Sequence, residues 1–465
     1  MKEYCNQDQV KPTDLLMSKR QFLTKFGMGM GMLGMAPLLQ DNLLASTPTE
    51  HVLHYPTAKA KQVIHIFFGG GQSHIDTWDN KPELQKIDGQ PVPGMGGLAH
   101  GSLFKFNKYG KAGIEVSEVF DKTAQYVDDM CILRGMTTSV PAHEVATVMM
   151  NTGNFNLVRP SLGSWSVYGL GTINKNLPSF ISLRVGGMPL GGTQNFGSSF
   201  LPGVYQGTPV DTSLGSVDRM IQNIKSQYAS LPEQRSQLDT LMRINELHKQ
   251  QLKKDESFDA RIESFELAFR MQTEATDAFD VSKEKPETRN KYGTSAQSKQ
   301  MLIARRLIEK GVRFVQVWTG GWDNHDGMNR SLRNAAGQVD QPIAALIEDL
   351  KQRGLLDSTL IVMTGEFGRT PTRDGIGGRD GFGRSHWHNA MSTVLVGGGV
   401  KGGTVYGKTD EFGARVVEGR MGVHDLHATI LRLIGFDHEK LTYRYNGREF
   451  RLTDVFGNVP KEIIA

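Results

Sequence analysis

The sequence predicts an α/β fold with a mostly parallel sheet, and three observations carry that prediction. Short apolar, β-branched runs alternate with longer stretches of helical periodicity, as in KQVIHIFF (61–68) and AQSKQMLIARRLIEKG (296–311). The links between them are short, so successive strands need helical crossovers and both sheet faces become covered. The strands also empty into glycine clusters followed by His, Asp or Glu, where open α/β sheets bind ligands.

Composition sets the outer bounds. A length of 465 residues allows two to four average domains or one large α/β domain with insertions. With 38% hydrophobic and 22% charged residues, a sizeable core is available. A net charge of +4 is slight for this length and gives no case for nucleic acid or an anionic membrane as partner. Two cysteines, Cys5 and Cys131, exclude a disulfide framework and a cysteine-based zinc site.

Taken in order, the chain opens with Ser18-Lys19-Arg20-Gln21-Phe22-Leu23 before a Gly/Met-rich stretch from Phe26 to Leu39. A basic pair, a weak apolar core too short to span a bilayer, and small residues near Ala45 describe a signal peptide over residues 1–45. Export to the periplasm or cell envelope is the expectation. Residues 46–212 hold the first strand (61–68), a second at Cys131–Leu133, a helix from Ala142 to Met150 and a strand over Pro178–Arg184. Helical spacing amid Lys, Glu and Gln sets off a helical insertion over 213–290. The α/β pattern resumes over 291–465, with a helix from near Gln297 and the strand Val312–Trp318. A helix from about Ala336 to Arg353, the strand Leu360–Thr364, another at Val394–Val396 and a helix over His424–Ile434 complete it.

Three strands end alike, in glycine and then a carboxylate. They give Gly71 with His74 and Asp76, Gly321 with Asp323 and His325, and Gly365 with Glu366; His386 and His388 follow on a Gly-rich loop. Asp79, before Lys81-Pro82-Glu83, reads as a helix cap. Like charges crowded at one sheet edge repel unless a cation neutralises them. These seven candidate ligands exceed what one zinc needs, so one or two divalent ions (zinc, manganese or calcium) are expected, a pair standing about 3.5–4 Å apart. Arg369 and Arg384 have the fork geometry to hold the oxygens of a phosphate or sulfate.

The order of these motifs resembles the alkaline phosphatase and sulfatase superfamily, with an alkaline-phosphatase-like three-layer sandwich as the fold the resemblance implies. The segment IEDLKQRGLLDSTLIVMTGEFG (347–368) is similar to that superfamily's helix–turn–strand leading to a metal-binding Asp-His, here Glu366 and Phe367. Asp323 and His325 resemble its Asp and His pair, His386 or His388 its late histidine, and Asp76 or His74 its early aspartate. GGGQSHIDTWDNKPE, GGWDNHD, GEFGRTP, GRSHWHN and LTYRYNGREFRLTDVFG together look like an exported bacterial family of unknown function within that superfamily. The resemblance implies a metal-dependent hydrolase of phosphate or sulfate esters, with a polysaccharide or lipid among the possible carriers. Its alternative is a non-catalytic metal- or glycan-binding protein on the same fold. Sulfatases carry Cys-x-Pro-x-Arg before a helix ending Leu-Thr-Gly. Counting back from Thr152-Gly153 puts His143 at the nucleophile's place, so formylglycine chemistry is not supported. His143 as nucleophile or ligand, a hydroxyl such as Thr138 or Ser139, and a water activated by metal all remain open, with Arg369 steadying the anion.

Overall fold

A strand that is apolar along its whole length must be covered on both faces, and β1 (Gln62–Phe68) is buried at all seven positions. A computed structural model describes residues 53–221, 229–251, 265–267, 269–272, 277–377 and 379–465. The leader expected over 1–45 lies outside the described residues. After β1 come β2 (Met130–Met136), helices α1 (His143–Thr152) and α2 (Leu162–Leu170), β3 (Phe180–Arg184) and β4 (Thr208–Asp211). Helices α3 (Leu231–Gln251) and α4 (Ala296–Glu309) follow, then β5 (Phe314–Thr319), α5 (Met328–Gln352) and β6 (Thr359–Thr364). A two-stranded antiparallel ribbon, β7 (Gly368–Arg369) with β8 (His386–Trp387), precedes β9 (Met391–Gly397), β10 (Thr404–Tyr406) and α6 (Val423–Leu433).

Eight strands form one sheet in the order β10-β2-β9-β6-β1-β5-β3-β4. Strand β9 runs antiparallel to β6 and β2, and the other neighbouring pairs are parallel. Alternation along β1 splits the core in two. Ile64, Ile66 and Phe68 pack with Met301 and Leu307 of α4 and with Leu332 and Ile343 of α5. Val63 and Phe67 pack on the opposite face with Trp165 of α2 and with Leu426 and Ile430 of α6. Helices on both faces of one sheet make three layers.

Three details depart from the sequence expectation. Helix α5 starts at Met328, two turns before Ala336, because Met328, Leu332 and Ala335 already line its buried face amid polar neighbours. Strand β4 was not expected. Its Pro209 is tolerated because β4 is the last strand at one edge of the sheet. Asp79 caps no helix: the short helix Pro82–Lys86 has Lys81 as N-cap, and Asp79 is buried against Lys81, Arg134 and Thr409. Among the described residues no helix is long and apolar enough to cross a membrane.

Candidate metal centre

Parallel neighbours end on the same edge, and β5, β1 and β6 are adjacent, with Phe68 opposite Thr319 and Phe67 opposite Thr364. Their exit loops therefore meet. Gly70, at φ +119°, lies so close to the backbone at Asp323 that a Cβ would collide with it. Helix α1 brings His143 at its first turn, and β8 brings His386 opposite Arg369 of β7.

His143, Asp323, His325 and His386 converge, each offering one ligand atom within 4.8 Å of the others. The Nε2 atoms of His143, His325 and His386 stand 3.2, 3.0 and 3.4 Å from Asp323 Oδ1. His325 Nε2 and His386 Nε2 are 2.9 Å apart. Each ring is held from behind. The Nδ1–H of His143 donates to Glu366 Oε1 (2.6 Å), that of His325 to Asp374 Oδ2 (2.6 Å) and that of His386 to the Pro141 carbonyl (3.0 Å). These partners only accept, so each Nδ1 carries a proton and Nε2 is the atom left to offer a lone pair to a cation. Three lone pairs and a carboxylate facing one point repel each other unless a cation sits among them. Donor atoms around a tetrahedral zinc stand about 3.3 Å from one another, which the measured spacings fit. Three imidazoles and one carboxylate are a donor set for zinc or a similar divalent ion.

Electrostatics favour the charged carboxylate. Burial pushes Asp323 up, but its bond to Arg369 (2.5 Å) and that charge bring it down to about 2. Burial also opposes protonation of His143, yet the bond to Glu366 raises it overall. His386 is lowered, by burial first and then by Arg369.

Several candidates from the sequence are not brought to this point. Asp76 is fully buried and held by Arg384 through Nε (2.6 Å) and Nη2 (3.2 Å), with Ser73 donating as well. The two side chains expected to meet a metal and an anion thus meet each other. His74 is buried with Nε2 on the Gly413 carbonyl, and His388 lies outside the converging four. Glu366 has no exposed surface; its Oε1 meets the His143 ring and accepts the Gly70 N–H (2.9 Å), its Oε2 has no hydrogen-bond partner, and it lies outside the converging four. Arg369 cannot open its fork to an anion. Its Nε donates to the Gly71 carbonyl (2.8 Å), Nη1 to the Arg384 carbonyl (2.9 Å) and Nη2 to the Gly70 carbonyl and Asp323. Sequence reasoning missed Asp374. Its sign was a carboxylate inside the Gly-rich loop, fixed by the bridge to Gly383. Phe367, beside Glu366, packs its ring 4.8 Å from His143 and 4.7 Å from His386. Gly71, at φ +69°, leaves it room, since a Cβ there would strike the ring.

No curated protein matches the chain. Among solved structures it is similar to the PsFucS1 sulfatase from Pseudoalteromonas sp., at 15% identity, with 82% of this chain and 68% of that one covered and a TM-score of 0.35. It is likewise similar to alkaline phosphatase from the Antarctic bacterium TAB5 (9% identity, 81% and 98% covered, TM-score 0.36). A third is the lipoteichoic acid synthase LtaP from Listeria monocytogenes (10% identity, 86% and 76% covered, TM-score 0.38). The model of the family described as "Protein of unknown function (DUF1501)" matches residues 60–464, and the chain belongs to that family.

Proposed function

We propose that this chain is an exported hydrolase of phosphate or sulfate esters that works with one divalent cation held by His143, Asp323, His325 and His386. One observation carries the reading: three inward-facing Nε2 atoms gather on Asp323 Oδ1, each ring locked through its Nδ1–H. One cation suits the set better than two, because Arg384 already neutralises Asp76 and Arg369 stands against Asp323. Zinc fits this donor set better than manganese or calcium, which prefer more oxygen. When bound, such an ion polarises an ester oxygen and acidifies water enough for attack near neutral pH.

The chain's own residues supply orientation. Glu366 and Asp374 fix the tautomer and tilt of His143 and His325. The same bond to Glu366 supports a ligand's place for His143, its Nε2 standing 3.2 Å from Asp323 Oδ1. Arg369 holds Asp323 in position, and Phe367 closes the rear of the centre against water. Export rests on the Lys19-Arg20 leader.

A metal-binding protein without turnover is the competing reading. Phe367 favours it, since its ring stands where the resemblance expects a second ligand. Metal analysis of the purified chain, run beside a panel of aryl phosphate and sulfate esters, separates the two. The expected result is about one divalent ion per chain, lost together with turnover in Asp323→Ala. Bound metal with no ester cleaved favours the binder, and a wild-type chain that takes up no metal ends both.

A further inference from the structure

We infer that the centre selects by charge and takes monoanionic esters, sulfate monoesters or phosphodiesters, ahead of dianionic phosphate monoesters. The inference rests on the hydrolase reading and narrows its substrate. Three carboxylates border the centre: Asp323 within it, and Glu366 and Asp374 each one hydrogen bond behind a histidine. Arg369 is the guanidinium bonded to Asp323, and a divalent ion brings two further positive charges. These charges cancel, and Asp76 with Arg384 cancels separately. A dianion therefore meets no surplus of positive charge.

Among the described residues, the arginines packed at the centre offer no open fork to grip its extra oxygen. Both guanidiniums have fully buried side chains. Arg369 is tied to four backbone carbonyls, of Gly70, Gly71, Trp322 and Arg384, and to Asp323, and Arg384 to Asp76 and the Thr370 carbonyl. Arg373, on the adjoining loop, is held by Asp88 and the Ala99 carbonyl. A second negative charge on the substrate is thus desolvated beside Glu366 and Asp374 without a partner, while a single charge is met by the ion alone. The centre is reached from solvent, since Asp323 keeps 47% of its side-chain surface exposed and His325 42%.

The experiment uses the full chain saturated with zinc at pH 9, where phosphate monoesters are dianions. Calorimetric binding of methanesulfonate is compared with that of methylphosphonate, two tetrahedral probes that differ by one charge and are not hydrolysed. Turnover of 4-nitrophenyl sulfate, bis(4-nitrophenyl) phosphate and 4-nitrophenyl phosphate is measured alongside, and the first two tell a sulfatase from a diesterase. Methanesulfonate is expected to bind at least as tightly as methylphosphonate, and one or both monoanionic esters to exceed the monoester in kcat/KM by about tenfold. Asp374→Asn removes one negative charge yet keeps an acceptor for His325, and is expected to improve relative methylphosphonate binding by about tenfold. Arg379, exposed on the same loop, is expected to be irrelevant, with Arg379→Ala leaving the binding ratio unchanged. Methylphosphonate binding tenfold tighter than methanesulfonate, or a loss of that binding in Arg379→Ala, overturns the inference. Preference for methanesulfonate with no ester cleaved supports the charge selection and removes the hydrolase reading instead.

Discussion

Asp76 and Asp323 each follow a parallel strand by way of glycines, and each is bonded to a buried arginine. They differ in what else reaches them. Asp76 is sealed, with both oxygens on Arg384 and Ser73 and no exposed surface. Asp323 gives one oxygen to Arg369 and three imidazoles and leaves nearly half its side chain open. A carboxylate at a strand end is therefore free to meet a cation only where the protein has not already satisfied it.

The sharpest way to break this comparison is Asp76→Ala. It strands the Arg384 guanidinium in the interior and is expected to cost about 3–5 kcal/mol in urea denaturation. Asp323→Ala also takes a carboxylate from a buried guanidinium, but at a half-open site where Arg369 keeps four carbonyls, and is expected to cost less than Asp76→Ala. Equal losses in the two variants would erase the distinction between sealed and open. Metal affinity should rank the other way. Competition against a chelating dye is expected to show a loss of roughly a hundredfold or more for Asp323→Ala, and about 10–100-fold for Asp374→Ala through its hold on His325. Gly71→Ala puts a Cβ into the Phe367 ring at a positive φ, for about 1–3 kcal/mol and a displaced His143 ring, readable as weaker metal binding.

A separate effect concerns histidines in closed surroundings. Burial lowers His65 to about 4 and His427 to about 3, from the usual 6.5. With the folded value below the unfolded one, the stability they support is present above about pH 6.5 and is lost as pH falls toward 4 and 3. His65→Leu is expected to flatten part of the acid limb of a stability–pH curve measured by urea denaturation. An unchanged limb would mean that other groups govern it.

Much of this was legible in the chain. β1, β5 and β6 announce themselves as unbroken apolar runs, and their shared exit edge follows from parallel pairing. Asp323 and His325 could be named from a strand end, His386 from the Gly-rich loop, and His143 from its count before Thr152-Gly153. What sequence could not give was orientation. Glu366 and Asp76 have the credentials of ligands, but which oxygen faces which nitrogen depends on side-chain packing across segments some 300 residues apart, as between Asp76 and Arg384 (separation 308). The Pro141 carbonyl behind His386 is a backbone group, and no residue type advertises it.

Arg369 stitches the loops after β1 and before β8 to its own strand from the inside. The spacing of the gathered side chains thus rests on one buried guanidinium, and a change at Arg369 reaches both loops at once.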